Sequence, residues 1–227
     1  MAETLVKHAD QNDRIFPLLR RTELTSYLRE GQLKELERFC QSVTKRAGAT
    51  LFRQGGPAES LYFLAEGIVE LRARPPGRQV YRTVEVVGQR CTIGDEAVLG
   101  QERYLTSARM LEPARLLSLS REAFEGVAAS RPDLAVGILR CSGSCIMQLV
   151  RRSAILTHAP AEVALRLLLE ELSEQNGNGR ASPIRITHAQ LAGMLHLSRE
   201  TVSRMLGQMA EEGSVELARG VIRLRSP

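Results

Sequence analysis

The stretch HLSRETVSRML, residues 196–206, sets Arg199, Glu200, Ser203 and Arg204 at helical steps, while Val202, Met205, Leu206 and Met209 recur on another face. Ser198, just ahead, is a residue type that caps a helix start. An arginine fork matches guanine O6 and N7, and a glutamate accepts from cytosine N4, so this set is suited to reading base edges in double-stranded DNA. On an isolated solvated helix the same charges would contribute almost nothing. The reading therefore depends on what holds the helix.

Other residue types could do different chemistry. Cys141 and Cys145 lie one helical turn apart in CSGSC. They read either as a thiol switch, bridging two chains or ligating an ion, or as two small apolar fillers at a tight helix crossing. Gly137 and Gly143 in the same segment point to close approach of a neighbour or to open room. No nucleophile elbow, phosphate-binding glycine loop or zinc-type His-Glu-x-x-His motif occurs, so no enzymatic activity is expected.

The elements around the opening stretch supply the context it needs. In IRITHAQLAGML, Thr187 and Gln190 have capping-box spacing at the start of a preceding helix. VELARGVIRLR reads as two short strands about Arg219-Gly220. Helix, tight turn, helix and hairpin make a winged helix-turn-helix, whose second helix enters the major groove. Residues 184–227 carry six arginines against four acids, too little excess for a purely electrostatic DNA coat.

At 227 residues, with 43% hydrophobic and 25% charged residues and a formal net charge of +5, the chain has the composition of a globular protein of two domains. No apolar run approaches the roughly 20 residues of a membrane span, and residues 1–14 lack the apolar core of a secretion signal. A cytoplasmic protein with no membrane partner is expected. Cys40, Cys91, Cys141 and Cys145 are then read as free thiols rather than a disulfide framework.

From Gly48 to about Leu119 glycine punctuates short apolar or alternating runs: ATLFR, LYFLAE, IVELRA, VYRTVEVV and ARLLSLS. These predict the strands of an all-β roll, with QLKELERFC as a short helix packing through Leu33, Leu36 and Phe39. The period turns helical at SREAFEGVAAS, and Pro132 opens a segment running to about Thr157. Leu134, Ile138, Cys141, Cys145, Leu149, Arg152 and Leu156 form a seam about 35 Å long at 1.5 Å per residue. Either a second copy of the chain covers that seam, giving a parallel homodimer, or the helix is buried within one chain. THAP, 157–160, reads as a hinge. The fold class expected is α+β: a roll with flanking helices over 1–130, a dimerisation helix and hinge over 131–158, and a winged helix-turn-helix over 159–227.

SRETVSRML, preceded by ITHAQLAGML and followed by EEGSVELARGVIRL, resembles the DNA-binding domain of the CRP/FNR transcription regulators. LFRQGGPAESLYFLAEGIVEL is similar to that family's cyclic-nucleotide-binding-type sensor roll, so the resemblance covers nearly the whole chain. It implies a homodimer that reads a palindrome of TTGA- or GTGA-like half-sites and works with RNA polymerase. Arg199, Glu200 and Arg204 match the family's Arg-Glu-x-x-x-Arg pattern, and Ser203 completes the Glu-x-x-Ser-Arg of its FNR branch. Thr187, Gln190 and Ser198 join the expected DNA-binding set.

The resemblance also bears on the effector. Cyclic-nucleotide-binding relatives hold the ribose with Gly-Glu and the phosphate with an Arg before Ser-Ala or Thr-Ala. Here IGDEAVLGQERYLTSAR keeps Gly94 but has Asp95 and then Glu96, and Thr106 precedes Ser107-Ala108. A cyclic phosphate buried there would lack a fixed counter-ion, at a cost of several kcal/mol. Cyclic AMP is thus disfavoured, unless Arg103 or Arg109 supplies a non-standard phosphate contact. An FNR-type iron-sulfur cluster is disfavoured because no cysteine precedes Cys40. Tyr104 to Arg109, Y-x-x-S-A-R, resembles the nitric-oxide-responsive, haem-linked branch, for which His8, His158, His188 and His196 are the available axial ligands. Redox, gas or haem sensing therefore stays open.

Overall fold

A computed structural model describes residues 15–77, 79–88, 92–100, 103–175 and 182–225. His8 and Cys91 lie outside the described residues. The chain forms two compact units that are not contiguous in sequence: residues up to 69 with 89–148, and Glu70–Gly88 with everything from Leu149 onward.

In chain order, α1 (Glu30–Leu36) precedes strands β1 (Cys40–Lys45), β2 (Thr50–Phe52), β3 (Ser60–Glu66), β4 (Val69–Ala73), β5 (Arg82–Val87) and β6 (Thr92–Ile93). A short helix α2 (Asp95–Gly100) leads to β7 (Ser107–Met110) and β8 (Ala114–Ser120). Then come α3 (Arg121–Ser130), α4 (Pro132–His158), α5 (Ala161–Gln175), α6 (His188–Met194) and α7 (Arg199–Glu211), closed by β9 (Val215–Ala218) and β10 (Val221–Leu224).

The first unit is the roll. One antiparallel sheet runs β1-β8-β3-β6, and β2 pairs antiparallel with β7. Leu61, Phe63, Leu64, Ile93, Leu116, Leu117 and Leu119 are fully buried. Their strands alternate little because both faces find cover. The five glycine-bounded runs of the sequence all become strands, whereas β1, β6, β7 and α2 were not among those expected. β1 carries four polar residues in six, β6 is two residues long, and α2 is a single short turn, so none offers a period to read. Of the α1 face, Leu33 and Leu36 are buried, and Phe39 is half-exposed in a 3-10 turn beyond the helix.

The long helix α4 corrects two expectations. Leu134, Ile138 and Cys141, three of the seven seam residues assigned to a partner, are fully buried within the first unit, and Arg152 is buried within the second. Val136, Leu139, Ile146, Met147 and Val150 instead stand 45–67% exposed. At 100° per residue these lie on the opposite side of the helix, so α4 has two apolar stripes. The packing of Gly137 explains the first. A Cβ there would come within 2.1 Å of Leu28 Cδ2, so the glycine lets the segment before α1 press against α4. Gly143, on the exposed stripe, has nothing within 4 Å of its Cβ position. The second correction concerns apolar length: within residues 132–156 an 18-residue window reaches a mean hydropathy of 1.3, long and apolar enough by length and composition to cross a bilayer. Here one stripe packs on protein.

The second unit contains β4–β5 and the C-terminal elements. Leu165, Leu168, Leu169 and Leu172 of α5, Leu191 and Met194 of α6, and Val202, Met205, Leu206 and Met209 of α7 form its core with Ile184, Ile186, Val215 and Ile222. Ile184 and Ile222 exchange backbone hydrogen bonds of 2.8 and 2.9 Å, a single bridge that ties the segment before α6 to the β9–β10 hairpin.

Candidate nucleic-acid interface

Local sequence builds the helix-turn-helix. Thr187 caps α6, its hydroxyl accepting from the Gln190 N–H while Gln190 Oε1 accepts from the Thr187 N–H at 2.9 Å. The turn closes by Leu197 N–H donating to Ala192 O at 2.9 Å, with His196 in the left-handed region at φ 55°. Ser198 then caps α7, accepting from Thr201 N–H at 3.1 Å. Burying Val202, Met205, Leu206 and Met209 fixes the rotation of α7 and leaves Arg199, Glu200 and Arg204 exposed. The backbone N–H at the helix start, then the Ser198 hydroxyl and Arg199, hold the Glu200 carboxyl below the usual carboxylate range. It is therefore an acceptor at neutral pH, as a cytosine N4 contact requires.

Besides the capping Ser198, three of the residues read as DNA contacts have structural partners. Gln190 and Thr187 are joined in the capping box. Ser203 Oγ lies 2.8 Å from His188 Nδ1, which locks α7 to the start of α6. Only the tertiary fold reveals His188 as the partner of Ser203. A cleft of about 430 Å³ between α6 and the wing is lined by Thr187, His188, Arg199, Leu217 and Gly220, among others. It brings Arg199 beside the hairpin.

Sequence reasoning also missed what supports this face. β5 packs on α6, and a Cβ on Gly193 would lie 2.9 Å from Thr83 O and 3.1 Å from Thr83 Cβ, so glycine alone fits this approach. Arg152 Nη2 donates to Glu171 Oε1 at 2.6 Å, and Arg152 Nη1 is 3.3 Å from Glu85 Oε1. One buried guanidinium thus joins α4, α5 and β5. The seam spacing marked Arg152 only as an apolar-seam position, because its two carboxylates are 67 and 19 residues away.

The residues matching the nucleotide pocket are placed in the first unit. A Cβ on Gly94 would meet Tyr104 Cε1 at 2.9 Å, and Tyr104 itself stacks on Phe52 with centroids 3.8 Å apart and donates to Ser60 O at 2.6 Å. Asp95 is buried; burial raises its carboxyl pKa, opposed by the Ser142 hydroxyl and local backbone N–H groups. Glu96 is exposed. Ser107 is buried and accepts from Gln54 N–H at 2.9 Å, and the buried Thr106 Oγ1 makes no hydrogen bond. Arg103 is exposed and donates to Gly55 O at 2.7 Å; Arg109 is exposed between buried Ala108 and Met110, so it points out of the roll.

Cys141 Sγ lies 3.3 Å from Thr92 Oγ1, and burial pushes its thiol up to about 12. A thiol so far from ionisation is a poor nucleophile. Cys141, fully buried, and Cys145, half-buried, lie opposite the exposed stripe of α4, in keeping with the small apolar fillers among the two readings. Cys40 is likewise buried and pushed up to about 12. Among the described residues no group of three or more His, Cys, Asp or Glu could hold a metal. His158 and His196 are exposed, and His188 is engaged with Ser203.

An exposed, capped reading helix on a winged helix-turn-helix, in a chain with a β-roll of the nucleotide-binding type, defines a DNA-binding transcription regulator. Family comparison agrees in both parts: residues 42–131 match the cyclic nucleotide-binding domain and residues 163–227 the Crp-like helix-turn-helix domain. The chain is 30% identical to the cyclic AMP receptor protein of Thermus thermophilus over 78% of this chain and 81% of that one. It is 27% identical to the CRP-like cAMP-activated global transcriptional regulator of Mycobacterium tuberculosis over 88% and 91%. A CRP/FNR-family regulator of Thermus thermophilus superposes with a TM-score of 0.66 at 26% identity over 82% and 94% of the two chains. The c-di-GMP responsive regulator CLP of Xanthomonas campestris superposes with 0.71 at 16% identity over 88% and 100%, a likeness of fold. The chain belongs to the CRP family.

Proposed function

We propose that this regulator acts in the cytoplasm as a homodimer on a palindromic site, with TTGA- or GTGA-like half-sites about one helical turn apart. The observation that carries the reading is the face of α7, where Arg199, Glu200 and Arg204 are exposed beside a Ser198 cap and over a fully buried Val202, Met205, Leu206 and Met209 side. The exposed stripe Val136, Leu139, Gly143, Ile146 and Val150 supports the dimer, because its alternating steps of three and four residues are those of a coiled-coil seam. Gly143 at its centre leaves open space where a partner helix can approach closely. RNA polymerase is the further partner the family points to, and no part of the function needs a membrane.

Control runs through the roll and α4, with an effector other than cyclic AMP. Thr106 stands where a phosphate-binding arginine is needed, while Arg103 and Arg109 face away from the roll interior. The buried, hard-to-ionise Cys141 weighs against a thiol switch. For haem, the described histidines offer no buried, unengaged imidazole.

Selection of preferred duplexes from a random library, followed by titration of Arg204→Ala and Glu200→Ala, tests the assignment. Each variant is expected to lose about 1–3 kcal/mol and to relax preference at one position per half-site. Unchanged affinity with unchanged preference refutes it. Native and denaturing mass spectra of protein purified without oxygen report subunit number and the mass of any bound effector.

A further inference from the structure

The β4–β5 hairpin is strongly cationic. Residues 71–84 contain Arg72, Arg74, Arg78 and Arg82 and no acid. The Arg72 and Arg74 guanidinium carbons lie 4.8 and 4.7 Å from the centroid of one ring, Tyr81. Arg74, Arg82 and Val80 are exposed. Tyr81 thus gathers two guanidinium groups at one place on the hairpin.

The hairpin is also held rigidly on the DNA-reading body. Thr83 Oγ1 donates to Glu70 Oε1 at 2.7 Å across the two strands, the Thr83 backbone rests on Gly193 of α6, and Glu85 is tied to Arg152. Pro75 and Arg82 line a cleft of about 640 Å³ with Gly193, His196 and Leu197. His196 and Leu197 immediately precede the Ser198 cap of the reading helix. The basic tip therefore travels with the end of α7 that meets DNA.

We propose that the β4–β5 hairpin is a second DNA-contacting element, its arginines holding backbone phosphates that flank the bases read by α7. The inference rests on the DNA-binding reading above. Phosphate contacts position a protein without carrying sequence information, so the hairpin adds affinity and salt dependence but no base preference.

The experiment compares wild type, Arg74→Gln/Arg82→Gln and Arg74→Lys/Arg82→Lys, with duplex affinity measured by fluorescence anisotropy across a salt series. The Gln variant is expected to flatten the slope of log K against log salt by about 0.9 per lost contact, near 1.8 per protomer, with unchanged base preference. The Lys variant keeps the wild-type slope, which separates charge from folding. An unchanged slope and affinity in the Gln variant overturns the proposal, as does a changed base preference at constant slope. If the wild type selects no sequence, the reading of α7 fails; the same slopes on random duplex still decide the hairpin.

Discussion

Replacing Arg152 by alanine is the sharpest test of how the second unit is held. Its side chain is 10% exposed and lies against Glu85 and Glu171, whose side chains are 13% and 29% exposed. Burial opposes the guanidinium charge, but the two carboxylates outweigh it and hold its pKa above the usual arginine range. Arg152→Ala leaves two acids facing each other without their common cation. Breaking a buried pair in this way costs about 3–5 kcal/mol, and the partial exposure of Glu171 places the expectation near the lower end. With an m-value of about 2 kcal/mol/M, a loss of about 3 kcal/mol moves the urea midpoint down by about 1.5 M. Circular dichroism through a urea titration reads the shift. The triple variant Arg152→Met, Glu85→Gln, Glu171→Gln is expected to recover most of the loss, because it removes the whole charge set together. A loss below about 1 kcal/mol in Arg152→Ala, or no recovery in the triple variant, refutes the argument that this ion triad ties α4, α5 and β5.

Three further outcomes follow from particular residues. Leu139→Asp or Ile146→Asp puts a charge in the exposed stripe of α4 and is expected to shift the protein to monomer in sedimentation velocity, whereas a polar change at exposed Glu96 leaves its state unchanged; equal sedimentation of all variants removes the seam. His196→Gly relieves a left-handed residue in the helix-turn-helix turn and is expected to stabilise by about 0.5–1 kcal/mol in thermal unfolding, while a loss shows that the imidazole makes a stabilising contact. For Asp95 the folded carboxyl pKa lies above its unfolded value. The folded protein thus binds this proton more tightly, and the burial penalty grows as pH rises from the unfolded pKa through the folded one. Asp95→Asn is expected to flatten that part of the stability profile between acid and neutral pH; an unaltered profile rules Asp95 out as its source.

Much of the reading face was legible because its determinants are local. Ser198, Thr187 and Gln190 announce two helix starts by side chains that reach only three residues along the chain, and the spacing of Val202, Met205, Leu206 and Met209 fixes which side of α7 is buried. Arg219-Gly220 marks the wing for the same reason, since the glycine adopts φ 71° in the turn. The glycine-bounded strands were legible through their apolar runs, but β6 and α2 were too short to show a period. The pairing of Ser203 with His188 was not legible, because it is set by how two helices pack.

By itself the sequence determined the two kinds of domain, the extent of the long helix and which side of α7 stands exposed, since capping, turn chemistry and periodicity act over a few residues. It offered one apolar seam on α4, yet left open whether that seam meets its own chain or a second copy. Tertiary structure decided that. Leu28 seats against Gly137, and Leu134, Ile138 and Cys141 are fully buried, so the opposite stripe is the one left uncovered. The joining of Glu85, Arg152 and Glu171, and the seating of the basic hairpin beside the reading helix, likewise depend on residues far apart in the chain. Their encounter is set by the packing of whole elements, which no local pattern encodes.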